Sequence, residues 1–402
     1  MSATANFLLT TAGVFLIALV FYDIYATILR ATKHPGLFSE FLNRGLWWFI
    51  TRLTRRLDRR VRHRLLSAVG PLLMPLLITV LLLTLMTGFA LIYLPHLETG
   101  FQLGAAAHGS SILQAFYFSG ITLTTLGYGD ILPISGTMRM LALFESALGM
   151  ATISISITYL LTVYSALERK RAVALKFYHQ ARQGADISGF ISSHFARGRF
   201  HSLTESLREA TRDLQELLES HIEHPVIHYF HPVEVYKGLP RALFVVLETV
   251  AILNAHLEEE EYVEAGDHPD VLIAGDSARH VLFELVTSLK LEKRATEPFE
   301  SEEETLKRRR KCFNRAARHL QRSKIKIRSD VEQAFLEYTT DRAAWERQLY
   351  HFADFLGYDW DEVTGDRSLA DAMDDEVAER HELLAVSQEV GESASQGVKE
   401  KD

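Results

Sequence analysis

Three long apolar runs constrain this chain more than any other feature: Phe7 to Leu29, Pro71 to Leu94 and Met138 to Leu167. Each is long enough to cross the hydrocarbon core of a bilayer, which takes about 20 helical residues. Inside a membrane every backbone N–H and C=O must be satisfied within the protein, so such runs fold as spanning helices. The first run has the length of a retained span rather than a leader peptide, and no small-residue cleavage site follows it. Mean hydropathy over the 402 residues is near neutral, an average of this apolar first part and a charged remainder from residue 168 onward. The net charge of −8 is therefore uninformative about partners, and no nucleic-acid partner is expected. Cys312 is the only cysteine, which excludes an intramolecular disulfide.

Lysine and arginine placement sets the expected orientation. The loop after the first run carries Arg30, Lys33, Arg44, Arg52, Arg55, Arg56, Arg59, Arg60, Arg62 and Arg64, whereas Pro95 to Met138 holds neither lysine nor arginine. Arg169, Lys170 and Arg171 follow the third run. These put the N-terminus outside, the basic loop inside and everything after residue 167 in the cytoplasm of a cell, in a bacterial inner membrane. Between Leu37 and Leu66, Trp47, Trp48, Phe49, Ile50 and Leu53 alternate with arginines at helical spacing. That pattern suits an interfacial amphipathic helix facing anionic lipid, serving either as a plain connector or as a cuff that passes signals to the membrane helices. Asp23 lies within the first run, where a carboxylate needs a reason: either a structural partner, such as a basic residue of the following loop, or a proton- or ion-linked role.

Ser110 to Leu123 is too short to span and reads as a re-entrant helix, with Ser110 or Ser111 as its N-cap. It leads into Thr124-Thr125-Leu126-Gly127-Tyr128-Gly129-Asp130. Gly127 and Gly129 reach positive φ without steric cost, which allows a strand of alternating φ sign with successive carbonyls on one side.

This stretch, together with Ala115 to Gly120 before it and Pro133, Arg139 and Gly149 after it, resembles the pore-loop potassium channels, over about Leu72 to Leu167. The resemblance implies a homotetramer. In such filters the carbonyls of Thr125, Leu126, Gly127 and Tyr128, with Gly129 completing the turn and the Thr125 hydroxyl below, hold dehydrated K+, as is established for potassium channels generally. It implies filter support from Tyr117, Phe118, Thr124 and Asp130, with Tyr128 packed on the two aromatic residues. Some bacterial members carry a glutamate behind the filter where this chain has Ile121. Glu145, on the inner helix, is either a substitute for it or an acceptor for pore-helix groups. Aligned by Arg139, Gly149 falls at the gating hinge and Met150, Ile153 and Ile157 line the cavity. Leu161 lies at the bundle crossing, where a ring of apolar side chains closes a pore by dewetting.

The inner helix is expected to continue to about Gln183, and further helices at about Thr204 to His221, Pro240 to Glu260, Ser277 to Glu292, Ser301 to Ser323 and Val331 to Leu356. Strand-like alternation is nearly absent, and no Gly-x-Gly-x-x-Gly follows a strand, so no organic cofactor is expected. His221, His224, His228 and His231 stand at spacings that suit either packed histidines or a regulatory divalent metal or proton site, with Pro225 interrupting the helix between them. The run Glu258 to Glu261 reads as a solvated face rather than a calcium site.

The expected fold is thus an all-α membrane protein with three transmembrane helices, a re-entrant pore helix and filter, an interfacial amphipathic helix and an all-α cytoplasmic C-terminal domain. The boundaries are 1–30 for the extra span, 31–69 for the basic segment, 70–167 for the pore module, 168–365 for the helical domain and 366–402 for a disordered acidic tail. The expected function is passive potassium conduction through a tetrameric pore open to regulation by the cytoplasmic helical domain, with the gating stimulus and any regulatory ligand unspecified by the sequence. A weakly selective cation channel is the alternative within this architecture. A membrane-anchored enzyme with a vestigial pore is the alternative from another class, which no triad, His-Glu-x-x-His or phosphate loop supports.

Overall fold

A computed structural model describes residues 2–30, 36–104, 109–180, 187–258, 260–263, 265–266 and 268–366. The expected tail lies outside the described residues except for Asp366. The chain forms two units: Met1–Ala172 with Leu214–Glu234 and Glu284–Lys290, and Val173–Asp213 with Val235–Phe283 and Leu291–Asp402.

The first unit begins with α1 (Ala3–Ile24), capped by the Ser2 hydroxyl and continued by a π-helical turn to Leu29. Next come α2 (Leu37–Thr54) and α3 (Arg59–Tyr93). After a short 3-10 turn follow α4 (Leu97–Gly100), β1 (Phe101–Leu103), α5 (Ser111–Leu123), β2 (Ile131–Pro133) and α6 (Gly136–Gln180). Ala3–Leu29, Arg59–Gly100 and Gly136–Lys176 are apolar and long enough to cross a membrane. α1 crosses α3 where Gly13 meets Gly88: a Cβ on Gly13 would lie 2.5 Å from the Gly88 carbonyl oxygen. Small residues permit this close backbone approach. Leu81, Leu85, Phe89, Phe118, Ile121 and Leu123 form the core between α3 and α5.

Two local features differ from the expectations. The Leu37–Leu66 segment is two helices, because the Asp58 side chain accepts the Arg60 amide and starts a new helix at Arg59, well before Pro71. Pro71 and Pro75 sit inside α3, where each removes one backbone hydrogen bond without ending the helix. Trp48 is exposed on α2, but Trp47 is buried edge-on against Tyr229, so only one of the pair is free to meet lipid.

Among the described residues Asp23 finds its partners at a helix end. Its carboxylate accepts from the Phe38 amide (2.6 Å), the Ser39 hydroxyl (2.7 Å) and the Thr27 hydroxyl (3.2 Å). The N-cap position of α2 is Gly36, which has no side chain to offer. Asp23 caps α2 from α1 instead, where the helix dipole also favours a negative charge.

The second unit is a separate helical region. It holds α7 (Ile187–Ser193), the minimal hairpin β3–β4 (Phe195–Ala196 with Arg199–Phe200) and the start of α8 (Leu203–Glu223). The rest is α9 (Leu239–His256), most of α10 (Pro269–Ser288), α11 (Glu302–Arg322), α12 (Val331–Ala343), α13 (Glu346–Phe355) and α14 (Trp360–Thr364). α9 is also apolar and of membrane length, but 94% of it is buried by helices including α11, α12 and α13, as for the core of a water-soluble bundle. Around it Arg342 is fully buried, paired with Glu346 at 3.0 Å and near Glu248 at 3.5 Å. Burial pushes the Glu346 carboxyl up, but Arg342, Arg309 and Arg308 more than reverse this and hold it below the usual range.

Candidate functional site

α5 starts at the Ser110 cap and ends where the Thr124 hydroxyl returns to the Gly120 carbonyl at 2.7 Å. The chain then folds back on the end of its own helix. The Thr125 amide donates to Thr122 O (3.0 Å), and the Leu126 and Gly127 amides both donate to Ile121 O (2.8 and 3.2 Å). φ is +60° at Thr125, +54° at Gly127 and +82° at Gly129, while Leu126 and Tyr128 between them keep ordinary negative values. For Thr125 the left-handed region costs roughly 1–2 kcal/mol, which the ring of amide bonds around Ile121 offsets.

The far end of the loop is fastened by main chain. β1 pairs antiparallel with β2, the Gly104 amide donates to Asp130 O at 2.7 Å, and Arg139 Nε donates to Pro133 O at 3.0 Å. The Tyr117 hydroxyl lies near the Asp130 side chain. Phe118 is buried edge-on between Tyr93 (ring centroids 5.1 Å) and Phe101 (4.9 Å). Tyr128, expected to pack on these rings, is instead 69% exposed, and Thr124 to Gly129 are exposed throughout. Any cover for that face must come from outside the single chain.

Glu145 is fully buried on α6. It accepts from the Tyr93 hydroxyl of α3 at 2.8 Å and from the Ser119 hydroxyl of α5 at 2.5 Å, so three helices meet at one carboxylate. Ser119 is a pore-helix hydroxyl of the kind expected to donate to Glu145. Tyr93, on α3, escaped the sequence reading, its only signal being a hydroxyl in an otherwise apolar surrounding. Four residues on, Gly149 lies directly against the end of α5, and a Cβ there would come within 2.1 Å of Leu123 O. Met150, Ile153, Ile157 and Leu161 are exposed along one stripe of α6, opposite buried Thr152, Ser156 and Val163.

The four candidate metal histidines do not converge. His221 Nδ1 bonds Leu217 O at 2.7 Å, His228 Nε2 bonds the Ser288 hydroxyl at 3.2 Å, His224 packs edge-on against Tyr159, and His231 Nε2 lies 2.7 Å from His63 Nδ1. Among the described residues no group of three or more His, Cys, Asp or Glu is placed to hold a metal ion. Pro225 turns the segment, His224 and His231 go to separate neighbours and the His221 and His228 rings pack on each other with centroids 4.8 Å apart, an arrangement of the packed-histidine kind. His63, far away in the chain, carried no signal of this contact.

Residues 78–166, which contain the loop, its flanking helices and Glu145, match the family model described as "Ion channel". Over those residues the chain is similar to that family, and its apolar helices are of membrane length. Over 253 residues, 62% of this chain and 70% of the relative, it is 28% identical to the "Uncharacterized membrane protein YdjJ" of Bacillus subtilis (strain 168). Over 73 residues, 16% of this chain, it is 38% identical to "Protein LctB" of Geobacillus stearothermophilus and spans 54% of that protein's length. No solved structure matches it significantly. The similarity to an ion-channel family favours a channel over the enzyme class raised as an alternative.

Proposed function

We propose that this ion-channel-family chain is one subunit of a cation channel in which four copies gather their Thr124–Asp130 loops around one axis. The observation that carries the reading is the alternation of φ sign at Thr125, Gly127 and Gly129. A backbone of alternating hand turns successive carbonyls to the same side, and rings of carbonyls substitute for an ion's water shell. The exposure of Thr124 to Gly129 in a single chain supports assembly around the loop. In this arrangement the negative end of the α5 dipole faces the cavity and favours a cation. Tyr117, Phe118, Thr124, Asp130 and Glu145 brace the loop. Met150, Ile153 and Ile157 line the cavity, Leu161 forms the constriction, and Gly149 is where α6 bends.

Weakly selective cation conduction is the breadth that the comparisons support best, and the exposed Tyr128, without a brace of its own in the chain, favours it as well. Potassium selectivity is the narrower reading and rests on the order Thr-Leu-Gly-Tyr-Gly alone. In both readings the N-terminus lies outside a cell membrane, the arginines after α1 face anionic lipid inside, and the helical region regulates from the cytoplasm. Reversal potentials of the reconstituted chain in opposed sodium and potassium solutions decide between them. A potential that follows potassium supports the selective reading, one near zero the weakly selective reading, and the absence of any current sinks both.

A further inference from the structure

The basic residues of α11 fall into two sets. Arg308 and Arg309 reach Glu346 at 3.1 and 2.7 Å, and Arg310 reaches Glu332 of α12 at 2.7 Å. Lys311, Arg315, Arg318 and Arg322 form the second set, recurring at steps of four, three and four residues on one face. Lys311, Arg318 and Arg322 are exposed, and Arg315 is half-buried. Each neighbouring pair on this face is of like charge, an arrangement that weakens a helix unless a counter-charge offsets it. Among the described residues Arg318 and Arg322 meet no acidic side chain; Arg318 bonds only the Asn314 carbonyl of its own helix.

One counter-charge is in place. Gly365, at φ +74°, ends α14 in a left-handed turn and brings Asp366 to α11. The Asp366 carboxylate lies 2.8 Å from Arg315 Nη1. Burial pushes that carboxyl up, but Arg315, the Thr364 hydroxyl and Lys311 together hold it below the usual range. Asp366 is the last described residue, and the sequence after it carries Asp371, Asp374, Asp375, Glu376, Glu379 and Glu382 with Arg380 as the one base among them.

We propose that residues 371–382 supply the remaining counter-charge: this acidic stretch docks along the Lys311–Arg322 face of α11 in the same chain. The docking is independent of the conduction reading. Asp371 stands five residues after Asp366, and five residues extend to about 17 Å at most. Along the axis of α11, Arg322 lies about 10 Å from Arg315, and Lys311 about 6 Å the other way. The whole face is within reach of the stretch. Attachment at Asp366 also holds the acids near this face at an effective concentration of about millimolar, which a free anionic partner lacks. Exposed ion pairs are individually weak and screened by salt, so the docking needs several at once and loosens as ionic strength rises.

Carbodiimide cross-linking of the full chain in phosphatidylcholine liposomes, read by mass spectrometry, tests this. Lys311 should link to carboxylates within 371–382, and raising salt from about 0.05 to 0.5 M should remove most of the link. Arg318→Glu with Arg322→Glu leaves Lys311 in place; it should reduce the link about fivefold and speed tryptic cleavage after Arg380 by a similar factor. Adding Asp374→Arg and Glu379→Arg to that variant should restore the link. If the double variant fails to fold, the salt dependence of the wild-type link decides. Absence of the link in the wild type overturns the docking, as does a link indifferent to both salt and charge reversal. Mixing light and isotope-heavy chains before reconstitution separates the same chain from a second copy. Links within one isotope support the proposal, and links in the proportion of random light–heavy pairing overturn it. A link that disappears in vesicles containing phosphatidylglycerol assigns the face to anionic lipid and overturns the proposal too.

Discussion

In the membrane-spanning unit the buried carboxylates of Asp23 and Glu145 are met by hydroxyls and by the amide of a helix end, whereas in the charged helical unit Glu346 lies against guanidinium groups and Glu248 between the Arg342 guanidinium and the Tyr338 hydroxyl. The difference follows from where each unit folds. A second buried charge is expensive at membrane depth, so an acid there uses donors that the spanning helices already carry. The charged helical unit draws arginine from more than one helix, and Arg342, Arg308 and Arg309 converge on Glu346 from two. The first arrangement joins helices through single polar nodes. The second balances charge across a network, with cation–π contacts from Arg342 to Phe244, Tyr338 and Trp345 filling the rest.

The largest effect is expected where the network loses its centre. Arg342→Met leaves Glu248 buried without its guanidinium, and breaking a buried pair from one side costs roughly 3–5 kcal/mol. Denaturant unfolding followed by tryptophan emission measures it. The double variant Arg342→Met, Glu248→Leu should recover part of that loss, because no lone charge remains. A double variant as unstable as the single one would show that Arg342 acts through packing.

Removing the acceptor of the membrane-side node should come next. Glu145→Ala strands the Tyr93 hydroxyl in an apolar setting, at about 1–3 kcal/mol, and takes the shorter of two acceptors from the Ser119 hydroxyl, which keeps Met86 O. Glu145→Gln keeps one acceptor oxygen and should lose clearly less. Thermal unfolding in detergent compares them, and equal losses would show that the charge rather than hydrogen bonding matters there. Smaller again is Gly149→Ala, whose new methyl meets Leu123 O and costs roughly 1–3 kcal/mol as overpacking. Gly136→Ala, with nothing within 4 Å of the new Cβ, is its control. A Gly149→Ala protein with wild-type stability and altered flux would favour a hinge over close packing.

What the sequence disclosed about the two units also differs, for physical reasons. Spanning runs and the Thr124–Asp130 loop are local signals: hydropathy over a window, and glycines at fixed offsets. Both were legible to within a few residues, except that Asp58 moved the start of α3 back to Arg59. Helix content after residue 187 was legible too, although β1, β2, β3 and β4 are too short to leave an alternating pattern. The contacts that give polar residues their meaning were not legible. Tyr93 to Glu145, His63 to His231 and Asp23 to Phe38 join positions with no shared periodicity, and residue types alone left both a metal cluster and a basic partner for Asp23 open. The four histidines show the difficulty most clearly. Their spacing suits convergence only if the helix continues, and Pro225 ends it.

The smallest effect sharpens the comparison at its polar extreme. Asp23 supplies α2 with the cap that Gly36 lacks, through the Phe38 amide and the Ser39 hydroxyl. Asp23→Asn keeps an oxygen toward the amide but gives up the charge that suits a helix N-terminus, so the loss should be about 1 kcal/mol. Asp23→Leu gives up both and should lose more. If the carboxylate instead takes part in ion or proton movement, Asp23→Asn would leave unfolding unchanged and alter flux several-fold. Thermal unfolding and liposome flux on the same preparations separate the two. A cap acts on stability first, because the contacts recorded for the Asp23 carboxylate lie within α1 and the first turn of α2, away from the Thr124–Asp130 loop and the exposed stripe of α6.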